Sequence, residues 1–388
     1  MKRNTTIDIL RLVFALIIML HHSRYFLGYD RCVFAGGSLA VEFFFIVSGF
    51  LMAKKAAGPG SPAAEKEGGD FGTARFLLGK LDAVLPEMLA GWLIGFAVIA
   101  AADSLPAASL ADKLKEYLWE PLMLRMTGIY TGGFNGVTWY ISSMLLCMAV
   151  LYPLTRRYPD MMTKVAAPMI SLLLLGYLCR NFDHPREPSE WLGFTFKGNI
   201  RAMAEISLGI AAYRISARIS RIEFRRTGEW LITIAESALY FAYIRYMFLA
   251  LPGQADYLYI LAVWIAVVLT FSGRGAENRL YRRASARQNA RRDAGKSALL
   301  TAGHAAAPSA GLLCARFSSG IFFGHLYIAT RLNRPLPGVA GRGPKLICYV
   351  LLSLANGAVI CALSALWRRN RPALRRRIKA LFVKGSVH

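Results

Sequence analysis

Apolar blocks long enough to cross a bilayer are what most restricts the fold of this chain. They include Ala83–Ala102, Val165–Leu178, Leu231–Leu251, Tyr257–Phe271 and Leu346–Trp367. A helix needs roughly 20 apolar residues to traverse the hydrocarbon core. Only helices and closed barrels satisfy their backbone polar groups there, and these blocks lack the alternation of barrel strands. A mean hydropathy of +0.38 agrees. The expected fold is therefore all-α, a polytopic transmembrane helical bundle. About ten spans are expected, near 7–27, 37–53, 83–102, 138–155, 164–180, 202–216, 229–251, 257–273, 311–330 and 346–367.

The net charge of +24 raises the question of nucleic acid. Its distribution argues against that partner, because the basic residues cluster in short segments between apolar blocks. With the N-terminus in the cytoplasm, the inner segments hold 32 of the 47 Lys and Arg residues and the outer ones 13. The positive-inside bias thus puts both termini in the cytoplasm. The six cysteines form no C-x-x-C pair, so no zinc or redox site is expected. Met1-Lys2-Arg3 precedes an apolar run as in a signal peptide. Arg11, His21 and His22 interrupt that run, which favours an uncleaved first span.

The expected organisation is one membrane-embedded domain over residues 1–367 and a basic cytoplasmic tail over 368–388. Flexible cytoplasmic loops are expected at 54–82 and 274–316. The first contains Ala56–Asp70, rich in Gly, Pro, Ala and charge. The second is rich in Arg and Ala, which suits a linker attracted to anionic lipid.

Ionisable residues within spans are costly and point to function. Asp8, Arg11, Ala15, Ile18 and His22 form one stripe on the first span. At about 100° per residue, Arg11 and His22 align to within about 20°, whereas His21 falls about 80° from Arg11. The rise separates Arg11 from His22 by about 16 Å along the axis. Arg11 is then near the inner interface and His22 in the outer half. The plain alternative is an interfacial Asp8–Arg11 pair with histidines that merely flank the membrane.

Glu42 lies in an aromatic run and needs a partner, for which His22 and Arg11 are candidates. Ser48 and Gly49 suit either close helix approach or substrate contact. Trp139-Tyr140 reads first as an aromatic belt, and Tyr152-Pro153 as a helix terminus. Arg201 and Glu205 are spaced for a structural i,i+4 ion pair. Glu236 and Arg245 are expected to face the bundle interior. His325, taken alone, reads as a packing residue.

Taken together, these motifs resemble the acyltransferase 3 family, integral membrane O-acyltransferases of bacteria with some eukaryotic members. The matching residues are Asp8-Ile9-Leu10-Arg11, Arg11-x10-His22, Glu42-Phe43-Phe44 and Val47-Ser48-Gly49-Phe50. Trp139-Tyr140 through Tyr152-Pro153, and Phe322 to His325, resemble later family segments. The likeness is specific in 5–52 and weak between about 210 and 315. Ala83 occupies a position where the family often has arginine; Arg75 and Lys80 supply the basic residues before Pro86.

The resemblance implies transfer of an acyl group, commonly acetyl, from acyl-CoA to a hydroxyl of an envelope saccharide or lipid-linked glycan. No bound cofactor and no metal are implied, acyl-CoA being a substrate. The implied catalytic residues are His22, Arg11 and Glu42. Asp8, Ser48, Arg75, Lys80, Trp139 and His325 are implied in substrate binding. A neutral imidazole suits His22 as base, since its unperturbed pKa is about 6.5. Arg11 suits phosphate binding or charge stabilisation. The implied setting is a bacterial inner membrane, with the lipid bilayer, acyl-CoA and the glycan as partners. The alternative from another class is a multi-pass transporter or flippase that uses the buried charges as a pathway.

Overall fold

A computed structural model of the protein describes residues 4–28, 33–58, 71–129, 132–249, 251–275, 310–332 and 341–384. Its long helices are α1 (Thr5–Leu27), α2 (Ala40–Ala57), α3 (Phe71–Ala102), α4 (Ala107–Tyr117), α5 (Thr138–Arg157), α6 (Pro159–Asn181), α7 (Lys197–Ile219), α8 (Arg226–Leu249), α9 (Ala255–Ser272), α10 (Ala310–Arg331) and α11 (Arg342–Lys384). Among the described residues the sole β feature is an isolated bridge between Trp191 and Phe196. The protein is an all-α, polytopic helical bundle. Each of the ten expected spans coincides with one of these helices, and α4 is additional. Eight are long and apolar enough to cross a membrane by composition. The exceptions among the ten are α7 and α8, whose polar residues lower their hydropathy.

The boundaries differ from expectation where polar residues continue a helix beyond its apolar block. α3 begins at Phe71 rather than near 83, and α5 continues through Pro153 to Arg157. α11 runs from Arg342 to Lys384 without a break at Trp367. Its basic residues dock on α3, with Arg368 bonded to Glu87 at 2.5 Å and Arg371 to Asp82 at 2.5 Å. Residues 59–70 of the first expected loop and 276–309 of the second lie outside the described residues.

Local signals set the ends of α1. The Asn4 side chain accepts from the Ile7 N–H at 2.9 Å, and Asp8 lies in the first turn, where the helix dipole favours a carboxylate. Gly28 ends the helix at φ 68°, a conformation that costs glycine little.

α2 lies at the centre and α11 at the edge. Within their spans 72% and 22% of residues are buried, respectively. Glycine lets α2 and α7 touch: a Cβ on Gly49 would lie 2.1 Å from the Ile206 carbonyl oxygen, and one on Gly209 would lie 2.1 Å from that of Ile46. The packing reading of Gly49 is therefore the structural one. Leu172, Leu173, Phe241, Leu258 and Leu351 project from the outside of the bundle, as lipid contact requires.

Glu236 is buried and accepts from Thr270 Oγ1 at 2.7 Å. Arg245, expected inside, is exposed instead. It follows Glu236 by nine residues, or about 900° of rotation, which turns it to the opposite face.

Candidate active site

Among the described residues, the two ends of the α1 stripe open on two separate cavities. The smaller, about 260 Å³, is lined by Arg11, Ser48, Lys80, Ala83, Tyr140 and Ser318, among others. The larger, about 520 Å³, is lined by His22, Arg24, Arg125, Trp139, His184 and Arg201, among others. Val41 and Phe322 line both, so these two side chains form a common wall. The first cavity takes the Arg11 end of α1 and the second the His22 end. Following the charge-derived topology, we term them inner and outer.

Arg11 sits 3.7 Å from Asp8, and its carbonyl accepts from Ser318 Oγ at 2.9 Å, tying α1 to α10. Asp8 itself is buried behind the cavity. Lys80 reaches the same cavity with its ammonium 5.5 Å from the Phe76 ring centre. Ser48 Oγ pairs with Tyr140 Oη at 3.3 Å. Ala83 lines the wall, and its carbonyl accepts from Arg368 Nη2 at 3.0 Å, so α11 brings a guanidinium beside the position where the family often has arginine. Arg75 is exposed and lines neither cavity.

In the outer cavity, His22 Nδ1 lies 2.9 Å from His325 Nε2, with the rings 5.1 Å apart and nearly parallel. His325 is fully buried, and its Nδ1 is 2.8 Å from the Ile321 carbonyl oxygen. A carbonyl only accepts, so in a neutral pair His325 Nδ1 carries the hydrogen and Nε2 offers its lone pair. That lone pair accepts the Nδ1–H of His22. The remaining nitrogen, His22 Nε2, then keeps its lone pair. A histidine that alone reads as packing thus sets the tautomer of the histidine singled out by the helical stripe. His21 also lines this cavity, but its Nδ1 is taken up by the Phe34 carbonyl oxygen at 2.8 Å, and its Cβ abuts Gly37.

Glu42 meets neither His22 nor Arg11, the two partners expected for it. It binds Arg201 in a two-pronged pair, through Nη2 and through Nε at 3.0 Å. Arg201 Nε also reaches Glu205 Oε1 at 3.3 Å, and Nη2 donates to the Ser38 carbonyl at 3.2 Å. The Gly49–Gly209 contact explains the match. Glu42 and Arg201 each lie about two turns before those glycines on α2 and α7. Trp139 covers the guanidinium at 5.6 Å, so it acts as a wall of the site rather than as a belt residue.

Several lining groups come from loops, where no periodicity marked them. Arg186 is clamped by Asp256 through two 2.8 Å bonds and by the Ala35 and Leu251 carbonyls. That clamp fixes the segment carrying His184 and Glu187 over the cavity. Glu187 sits at φ 69°, a strained conformation for a residue with a Cβ. Glu120 is buried beneath the loop bearing Gly133 and Val137. It accepts from the Phe134 and Asn135 N–H groups at 3.3 and 3.0 Å. Burial pushes its carboxyl up to about 7, against the opposing pull of Arg125 and of those donors.

A bundle with a tautomer-fixed histidine beside two membrane cavities has the form of a polytopic membrane enzyme. The chain belongs to the acyltransferase 3 family: that family's model, described as an acyltransferase domain, matches residues 4–287. It is thus a membrane acyltransferase acting on groups other than aminoacyl groups. The match covers α1 to α9 and ends before α10, which carries Phe322 and His325. Searches of curated proteins and of solved structures give no significant match. The family does not favour the transporter reading.

Proposed function

We propose that the chain moves an acyl group, acetyl in the first instance, from cytoplasmic acyl-CoA to a hydroxyl of an envelope saccharide or lipid-linked glycan, and that it works in a bacterial inner membrane. The observation that carries this reading is the pair of cavities separated by Val41 and Phe322, with Arg11 and Lys80 in one and His22, fixed by His325, in the other. Arg11 and Lys80 suit the phosphates of the donor at the inner cavity. Tyr25, stacked on His22 at 5.9 Å, and Trp139 suit the apolar face of a sugar at the outer one.

The chemistry then runs as one balanced transfer. His22 Nε2 removes the proton of the acceptor hydroxyl, and the oxygen attacks the thioester carbonyl carbon. The C–S bond breaks, and the leaving thiolate takes the proton from the His22 imidazolium to give the free thiol. His325 holds His22 in the required tautomer throughout. Glu42 keeps Arg201 in the wall and serves as a positioning residue. For the two groups to meet, the thioester passes between Val41 and Phe322.

The test uses purified protein, acetyl-CoA and an envelope glycan fraction. Wild type should release free thiol and acetylate the glycan, and His22→Ala should do neither while still binding acetyl-CoA. Acetylation by His22→Ala at equal expression would sink the base assignment. Solute movement without any use of acetyl-CoA would sink the reading as a whole.

A further inference from the structure

The lining of the outer cavity is more cationic than a neutral sugar requires. Four guanidiniums face it, from Arg24, Arg125, Arg186 and Arg201, against the single carboxylate of Glu187. Two of the four are paired directly within the wall, Arg186 by Asp256 and Arg201 by Glu42. Arg125 feels the buried Glu120 carboxyl without bridging it, and Arg24 has no carboxylate bridge among the described residues. Among the described residues, Arg24 donates to Tyr25 Oη at 3.0 Å and Arg125 to the Gly132 carbonyl at 3.1 Å, and neither bridges a carboxylate. Polar atoms are also left over: Arg24 Nε, His184 Nδ1 and Ser38 Oγ are buried without a hydrogen-bond partner, and all three residues line this cavity. Buried polar atoms are normally satisfied, so these leftovers show a wall short of hydrogen-bond partners around the cavity. Arg24 and His22 both line this cavity, so the charge and the base share one chamber.

We propose that the outer cavity contains an anion subsite built on Arg24 and Arg125. The acceptor is then an anionic saccharide, carrying a phosphate or carboxylate close to the hydroxyl that is acylated. Guanidiniums bind such groups through charge-assisted, forked hydrogen bonds. The oxyanion fixes the sugar and thereby selects which hydroxyl faces His22 Nε2. The proposal rests on the outer cavity being the acceptor side.

The experiment measures binding of four probes to full-length protein in nanodiscs: glucose, glucuronate, glucose 1-phosphate and undecaprenyl phosphate. At least one anionic probe should bind on the order of tenfold or more tightly than glucose, the gain expected of a charge-assisted contact. Arg24→Gln and Arg125→Gln should each remove that preference. Arg24→Lys and Arg125→Lys, which keep the charge, should retain part of it and show that the folded cavity persists. Preference for glucuronate or glucose 1-phosphate points to a soluble or polymeric acceptor, and preference for undecaprenyl phosphate to a lipid-linked one; each supports the subsite. Equal binding of glucose and all three anions overturns it. So does a preference that survives both Gln variants but is lost in Arg11→Gln, which would place the anion in the inner cavity. Failure of the underlying reading is separate: it would show as acetyl transfer retained in His22→Ala, whatever the binding data.

Discussion

The two cavities are built differently, and the difference separates what helices do from what loops do. The inner cavity is walled by helix faces alone, from α1, α2, α3, α5 and α10. Its cations, Arg11 and Lys80, stand among serines and aromatic rings. The outer cavity is about twice the volume, 520 against 260 Å³. It draws heavily on connecting segments around Arg125, Gly133, His184 and Pro252. A narrow helical slot suits a donor of constant shape, whereas a loop-walled bowl can be re-lined for different acceptors without disturbing the bundle. The contrast makes a division of labour testable: damage on the inner side should read out in donor affinity, and damage on the outer side in turnover and acceptor choice.

The largest effect is expected at the base. His22→Ala should lower kcat by about 10²–10⁴-fold, the usual yield of general-base catalysis, with little change in donor binding. His325 sharpens the point because it acts through His22. His325→Phe removes the acceptor for His22 Nδ1–H and should lower kcat strongly, whereas His325→Gln keeps an acceptor oxygen and should retain a larger share. If both variants matched wild type in kcat and in the pH profile of kcat, the tautomer argument would be wrong.

Next comes the ion cluster behind the outer cavity. Arg201→Met leaves Glu42 and Glu205 buried without their cation, a loss worth roughly 3–5 kcal/mol of stability. It should appear as a large drop in thermal midpoint in detergent. Pairing it with Glu42→Gln should recover part of the drop. An undiminished loss in the double variant would show that the residues contribute independently. On the inner side, Arg11→Ala should raise the KM for acyl-CoA roughly tenfold or more while leaving acceptor KM unchanged. A change confined to the acceptor would reverse the assignment of the cavities.

The same contrast explains what is legible in the sequence. Arg11 and His22 share one helix, so a count of 100° per residue relates them from the order of residues alone. The spans are legible because lipid demands long apolar runs. Pairings between helices are not. Glu42 and Arg201 are brought together by glycine packing between α2 and α7, and His22 and His325 by the contact of α1 with α10. Arg186, His184 and Glu120 lie between spans, where no periodicity ranks one residue above another. Arg245 misleads for a related reason. An apolar block says that a segment crosses the membrane, but a single charge in it does not say which face is inside.

Glu120 gives a smaller, pH-dependent effect confined to the outer wall. Its carboxyl is raised from 4.5 to about 7, so folding favours the protonated form. The associated stability is present in full below about pH 4.5 and is lost as the pH rises through about 7. The span of that shift corresponds to roughly 3 kcal/mol. Thermal midpoints should fall between pH 5 and pH 8 in wild type and fall less in Glu120→Gln. Matching pH curves for the two proteins would remove Glu120 as the titrating group.

The smallest effect tests whether inner basic residues matter by position or by charge alone. Arg75 and Lys80 lie on one helix and stand together in the family-like basic cluster, yet five residues turn Arg75 about 140° away from Lys80. Lys80 therefore lines the cavity and Arg75 is exposed outside it. Lys80→Gln should raise the KM for acyl-CoA several-fold, while Arg75→Gln should stay within the ±0.5 kcal/mol typical of surface changes in both KM and stability. An equal rise in the two variants would mean that the donor's phosphates extend beyond the cavity along the N-terminal end of α3. In that case long-range charge, rather than the shape of the slot, governs the inner side, and raising the ionic strength should then weaken donor binding in wild type and in Lys80→Gln alike.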